Sequence, residues 1–225
     1  MPVKHDKREY RRIDASVMET RAAEDGSMIV EGYATTFEQP YELFRDKDMT
    51  VNEQVLRSAF DETDMTDVIM QYDHEGRVFA RIANGTLELE ADDHGLKIRA
   101  NLGGTEIGRQ LFEEIQGGYT NKMSFGFTVT GDERRTSKDA DGHITVLRTI
   151  TKIGKLYDVS AVSLPANDAT EISARMTSDG LITEVMEEIH AAEERERAER
   201  AEEERRSAAL ERLKNLIEEV KQDEV

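Results

Sequence analysis

The chain has no cysteine among its 225 residues, which excludes disulfides and thiolate metal sites outright. That absence fits a reducing cytoplasm. Long apolar runs are missing as well, and no stretch approaches the roughly 18 apolar residues of a membrane span. The N-terminal MPVKHDKREYRR is basic but lacks the apolar core of a signal peptide. A soluble protein acting inside a cell, without a membrane partner, is therefore expected. Basic residues are also scarce: 30 Lys and Arg stand against 48 Asp and Glu, a net charge of -18. Such a charge repels nucleic acid, so direct nucleic-acid binding is not expected and the natural partners are protein surfaces. Two catalytic signatures are absent. Without a G-x-S-x-G elbow the chain does not read as an α/β-hydrolase. Without a His pair or H-E-x-x-H, a metal-dependent hydrolase is a weak reading despite the abundant carboxylates, and no cofactor is expected.

Hydrophobic residues make up 37% of the chain and charged residues 35%, a polar load that places part of the chain outside any core. The composition changes near residue 180: short apolar runs alternate with turns before it, and Glu, Arg and Ala dominate after it. The break falls at Thr177-Ser178-Asp179-Gly180, which reads as a linker or a helix lead-in. Beyond it, pairs such as Glu193/Arg197, Glu196/Arg200 and Glu202/Arg206 sit at i, i+4 and support a solvated helix. Leu210, Leu213, Ile217 and Val220 then follow the 3-4-3 spacing of a coiled-coil seam.

Strands are predicted at Met28 to Ala34, Val68 to Tyr72 and Met123 to Thr130. Leu87 to Glu90 and Leu96 to Ala100 make a hairpin around Asp92-Asp93-His94-Gly95. Ile144 to Ile153 and Leu156 to Ser163 read as a further pair around Gly154-Lys155, and Gly131 to Gly142 as a long, exposed, mobile loop. Two short helices are predicted. One spans Asn52 to Glu62, with Val55, Leu56, Ala59 and Phe60 on one side and Asn52 as N-cap. The other spans Thr105 to Gln116, with Ile107, Leu111 and Ile115 every four residues and Gly117-Gly118 ending it. The pattern suits a compact α+β domain or a β-barrel with helical decoration, and composition alone does not choose between them.

Serine hydrolysis needs a hydroxyl, a base, and a group that fixes the base's tautomer. Histidine is the natural base, its ordinary pKa near 6.5 lying close to working pH. Of five histidines, His5 lies in the basic leader, His190 on the charged helix, His94 in a tight turn and His143 in the charged loop. His74 ends an apolar strand beside Glu75-Gly76, a place from which it can face a cleft. Strand alternation puts Phe125, Phe127 and Val129 on one face and Ser124, Gly126 and Thr128 on the other. Gly126 would leave room above the sheet for a substrate backbone. Asp158 is flanked by apolar strand residues and so wants a hydrogen bond or a cation. The residues alone leave the ordinary alternatives open: a surface histidine, a small polar side chain on a solvated sheet face, an edge-strand aspartate.

A His closing a strand, then M-S-F-G-F, then L-Y-D-V-S-A-V-S-L-P-A, in that order and spacing, resembles the HK97-type prohead protease family. That family is distantly similar to the herpesvirus capsid maturation proteases, the assemblins. The resemblance covers roughly Met28 to Met176. It implies a largely antiparallel, closed β-barrel of assemblin type with flanking helices, an α+β fold followed by a long charged C-terminal helix. It implies Ser124 as nucleophile, His74 as base and Asp158 as orienting acid. The family more often places Glu where this chain has Asp158; Asp is one methylene shorter, so the backbone approaches more closely or the third role is weaker. An oxyanion hole is expected near Leu164-Pro165-Ala166. The chain then divides into a basic flexible leader (1–20), a protease domain (21–176) and a charged helical tail (177–225). The implied function is a serine endopeptidase that cuts the scaffold portion of the major capsid protein, and itself, inside the assembling prohead in the host cytoplasm. A homo-oligomer and a tail that docks among helical scaffold segments belong to the same expectation. The alternative is a non-enzymatic scaffolding or assembly factor on the same fold.

Overall fold

The computed structural model describes the backbone over residues 8–13, 18–163 and 171–223, and side chains over 8–11, 18–163 and 183–214. In chain order the strands β1 (Glu9–Ile13), β2 (Glu19–Ala22), β3 (Met28–Thr36), β4 (Tyr41–Arg45) and β5 (Met49–Val55) come first. Then follow β6 (Ile69–Tyr72), β7 (Glu75–Arg81), β8 (Leu87–Ala91) and β9 (Gly95–Asn101). Helix α1 (Glu106–Gln116), the long strands β10 (Lys122–Lys138) and β11 (Ile144–Val162), and helix α2 (Glu171–Asp223) complete the series.

Strand β11 organises the larger sheet. One of its edges pairs antiparallel with β10. The other edge is shared in sequence: Ile144–Ile150 runs parallel to β5, and Asp158–Ala161 runs parallel to β6. Strand β1 adds to the outer edge of β10, β4 to β5, and β7 to β6, all antiparallel. A second sheet, β2-β3-β9-β8, is antiparallel throughout. The fold is therefore mixed α+β, mostly strand, with two α-helices among the described residues. Among the described residues no ladder joins the ends of either sheet, so the sheets are not closed into the barrel that the family resemblance implied. The two sheets instead meet through side chains. Val30 and Ala34 of β3, Leu96, Ile98 and Ala100 of β9, and Phe125, Phe127 and Val129 of β10 share one apolar core. Each large side chain so buried contributes about 1.5–3 kcal/mol.

Helix α1 forms where its capping signals place it. Thr105 Oγ1 accepts from the Gly108 amide at 3.1 Å, and Leu111, Phe112 and Ile115 bury on one side. Gly118 follows at φ +76°, a backbone that favours glycine. The β8–β9 hairpin also forms, with the Asp92 carboxylate accepting from the His94 and Gly95 amides in its turn.

Other expectations are corrected. Asn52 to Glu62 is not a helix: Met49–Val55 is strand β5, followed by a short 3-10 turn at Arg57–Phe60. Parallel pairing with β11 buries Val51, Glu53 and Val55 together, and that tertiary demand overrides the helical spacing. Gly131 to Gly142 is not a loop, since β10 continues to Lys138 against β11 and only Asp139–His143 turns the chain. Ile144 to Ser163 is not two strands but the single strand β11, which passes Gly154-Lys155 with local register shifts against β10. Glu9–Ile13, read as part of a leader, is a strand of the larger sheet. Of the two readings of Thr177 to Gly180, a linker or a helix lead-in, the helical one agrees with its place within α2.

The chain divides into two compact units, Met1–Ser178 and Asp179–Val225. In the second, Arg200 pairs with Glu196 one turn earlier, while Leu210 and Leu213 are exposed. The side chains of Ile217 and Val220 lie outside the described residues. No described helix is long and apolar enough to cross a membrane.

The core face of the larger sheet holds a buried charge cluster drawn from five strands. Glu53 of β5 is fully buried. Its carboxylate accepts from Arg11 Nε at 2.5 Å, Arg148 Nη1 at 2.8 Å and the Tyr41 hydroxyl at 2.6 Å. Arg148 also donates to Glu9 at 2.8 Å and to Asp132 at 2.9 Å, and Arg11 reaches Glu9 too. Burial alone would raise the Glu53 carboxyl, but Arg11 and Arg148 more than offset it and hold it below its ordinary value. Burial likewise works against the charge on Arg11, and Glu53 and Glu9 outweigh it. Removing one partner of such a cluster strands the opposite charge in the interior. Glu53→Gln is accordingly expected to lower unfolding free energy in urea by about 3–5 kcal/mol at neutral pH. Because Glu53 titrates lower when folded, its contribution is complete above the ordinary value of about 4.5 and fades as pH falls through the depressed one. The wild-type advantage over Glu53→Gln should therefore shrink on acidification; an advantage independent of pH would contradict this.

Candidate active site

Each of the three side chains singled out in the sequence arrives from a different ladder position around β11. Asp158 lies on β11 opposite Gly126 of β10, and Ser124 lies opposite Ser160, so these four positions share one face of the sheet. His74 comes from the β6–β7 hairpin. Tyr72 pairs with Glu75, which leaves Asp73 and His74 as a two-residue turn with φ +47° and +61°. Positive φ at both central positions is the reversed-hand turn that matches strand twist, and Asp and His are among the non-glycine residues that tolerate it. The turn is also tied down. The Asp73 amide donates to the Ala161 carbonyl at 3.0 Å, and the Asp73 carboxylate accepts from the Ser163 amide and hydroxyl at 3.1 and 2.9 Å.

The structure brings His74, Ser124 and Asp158 together. His74 Nδ1 is 2.5 Å from Asp158 Oδ1, and His74 Nε2 is 2.5 Å from Ser124 Oγ. A carboxylate can only accept, so Nδ1–H donates to Asp158. Nε2 then keeps its lone pair and accepts the Ser124 hydroxyl. Asp158, despite being one methylene shorter than Glu, reaches the imidazole without an intermediary. Ser124 and Asp158 are buried, whereas the His74 side chain is 14% exposed, so the imidazole is the part of this line that meets solvent. Low local dielectric strengthens each of these bonds.

Three contributors were not visible in the sequence reading. Ser160 donates its hydroxyl to Asp158 Oδ1 at 2.9 Å; its position two residues along the same strand was the available signal. Tyr10 of β1 packs its ring against His74, with centroids 4.4 Å apart. Arg8 Nη1 lies 4.0 Å from Asp158 Oδ2, a buried oxygen without a hydrogen-bond partner among the described residues. Two other histidines have partners elsewhere: His94 packs on Tyr33 and His143 bonds Thr50. His5 and the segment Leu164-Pro165-Ala166 lie outside the described residues.

Gly126 has a different use from the one its sequence position suggested. A Cβ there would sit 2.4 Å from Asp158 Oδ2 and 2.8 Å from Tyr10 Cε1. The absent side chain makes room for the carboxylate and the tyrosine ring, not for a passing substrate backbone. Gly126→Ala is expected to cost about 1–3 kcal/mol of stability through overpacking, read by urea unfolding. Unchanged stability would mean that the Asp158 and Tyr10 side chains yield freely.

No curated protein matches the chain. Among solved structures, it is similar to the capsid assembly protease of bacteriophage T4, gp21, at 12% identity and a TM-score of 0.37, covering 69% of this chain and 96% of that one. A family model described as caudovirus prohead serine protease matches residues 16–183, a span that contains His74, Ser124 and Asp158. On that match, which takes in well over half of its length, the chain belongs to the caudovirus prohead serine protease family.

Proposed function

We propose that this chain is a serine endopeptidase in which Ser124 is the nucleophile, His74 the general base and Asp158 the orienting acid. Its substrates are the scaffold portion of the major capsid protein and its own chain, and it works inside the assembling prohead in the host cytoplasm. The observation that carries this reading is the unbroken hydrogen-bonded line from Ser124 Oγ through the imidazole to Asp158. Family membership supports the reaction class and the setting in capsid maturation.

In the proposed reaction, Ser124 Oγ attacks the scissile carbonyl carbon as its proton passes to His74 Nε2. The resulting imidazolium is stabilised by Asp158, which holds Nδ1–H. Collapse of the tetrahedral intermediate breaks the C–N bond, and the leaving amine takes the proton from Nε2. Water then gives a proton to His74 and attacks the acyl-enzyme, releasing the acid and restoring the Ser124 hydroxyl. The chemistry calls for no metal or cofactor.

Two outcomes test this reading. Ser124→Ala and His74→Ala should each lower capsid-protein processing by about 10⁴–10⁶-fold, and Asp158→Asn by about 10⁴-fold, in gel assays of co-expressed protein. Processing that survives Ser124→Ala returns the chain to the role of a non-enzymatic assembly factor. The acidic helical unit is proposed to dock among helical scaffold segments, and the enzyme to associate with further copies of itself. Ending the chain after Gly180 should then reduce packaging into proheads while peptide cleavage continues; equal packaging without the tail would count against docking.

A further inference from the structure

Strand β1 has two unlike faces, and both are engaged. Glu9 and Arg11 enter the buried charge cluster around Glu53 and Arg148. Tyr10, between them, points to the opposite face and lies directly across from Gly126 in the β1–β10 ladder. Its ring meets the His74 imidazole at a centroid distance of 4.4 Å and a tilt of 54°. The outer end of the ring is held as well. Arg8 Nη1 donates to the Tyr10 hydroxyl at 3.4 Å, while the Arg8 guanidinium carbon sits 3.9 Å from the centre of the Tyr157 ring. The ring therefore has a fixed backbone, a floor that only glycine leaves open, and a tethered tip.

His74 needs such a wall. It stands on a two-residue turn at positive φ, and the three residues after it, Glu75, Gly76 and Arg77, are all exposed. Hydrogen bonds at Nδ1 and Nε2 fix the two nitrogens, but the imidazole can still rock about the line joining them or leave it by rotating at χ1. Two aromatic rings in tilted contact resist that motion.

We propose, on the reading that Ser124, His74 and Asp158 act together, that Tyr10 is a positioning residue whose ring holds the His74 imidazole in line between them. The anchoring of Glu9 and Arg11 on the far side of β1 keeps that ring in place. Residues 8–11 thus contribute to the reaction centre instead of belonging to a detachable leader.

The test uses the full chain with Tyr10→Leu, Tyr10→Met and Tyr10→Phe, and with Ser124→Ala as reference. Leu and Met fill the space without a flat face, and each should lower kcat by about 3–10-fold while KM changes less than about twofold. Tyr10→Phe should recover most of the lost kcat. A second readout is independent of turnover: the proton shared by His74 Nδ1 and Asp158, seen far downfield by NMR, should persist in Tyr10→Phe and broaden or vanish in the Leu and Met variants. Should Tyr10→Leu fail to fold, Tyr10→Met and Tyr10→Phe decide the matter by the same two readouts. Wild-type kcat with a sharp downfield proton in Tyr10→Met overturns the inference. So does a rise in KM alone, which would make Tyr10 a substrate contact, or a Phe variant as impaired as Leu. Activity that survives Ser124→Ala defeats the proposed reaction itself; loss in Ser124→Ala beside unaltered Tyr10 variants defeats only the role of Tyr10.

Discussion

The hydrogen bond from His74 Nδ1 to Asp158 is the constraint around which this fold is arranged. It decides the imidazole tautomer and so decides whether Nε2 can accept from Ser124. Buried carboxylates are costly unless they are bonded, and Asp158 meets that cost with the imidazole and Ser160 on one oxygen and the more distant Arg8 beside the other. The strand that carries Asp158 is also the strand to which β10, β5 and β6 attach. The position of the acid, the hydroxyl and the histidine turn are consequently set by ladders to a single partner.

The same sheet keeps its two kinds of buried charge on opposite faces. On one face, Glu53, Arg11, Arg148 and Glu9 compensate one another almost completely. On the other, the Asp158 carboxylate is left with one oxygen unbonded among the described residues. Strand β1 touches both, because alternate residues of a strand point to alternate faces. A stabilising cluster on the core side can in this way hold an edge strand steady on the side of Ser124, His74 and Asp158, with no requirement that those residues themselves favour the folded state.

Much of this was legible in the sequence, and the failures share a cause. Phe125, Phe127 and Val129 announce a strand by alternation, and Thr105 with Gly117-Gly118 brackets helix α1 by capping. His74 at the end of an apolar run was readable for the same reason. By contrast, Val55, Leu56, Ala59 and Phe60 carry a helical spacing across a stretch that begins inside β5; what makes Glu53 an interior strand residue is its partners Arg11 and Arg148, distant in sequence. Residues 131–138 looked like a loop because their charges suggest solvation, yet an extended hairpin with polar faces carries them. Tyr10 was hidden inside a basic segment that composition assigns to a leader. Gly126 was recognised as a space-maker, but what fills the space, Asp158 and Tyr10, depends on strand pairing that no local pattern encodes. The closed barrel was implied by resemblance, and among the described residues the ladders form two sheets that do not close.

The proposed reaction rests on a Ser124 hydroxyl made nucleophilic by His74. Reaction of the purified protein with a fluorophosphonate, followed by mass spectrometry of the peptides, tests that directly. The expected result is a single covalent adduct on Ser124 that is lost when His74 is replaced by alanine. An unmodified Ser124, or an adduct that forms equally well without the imidazole, would contradict it.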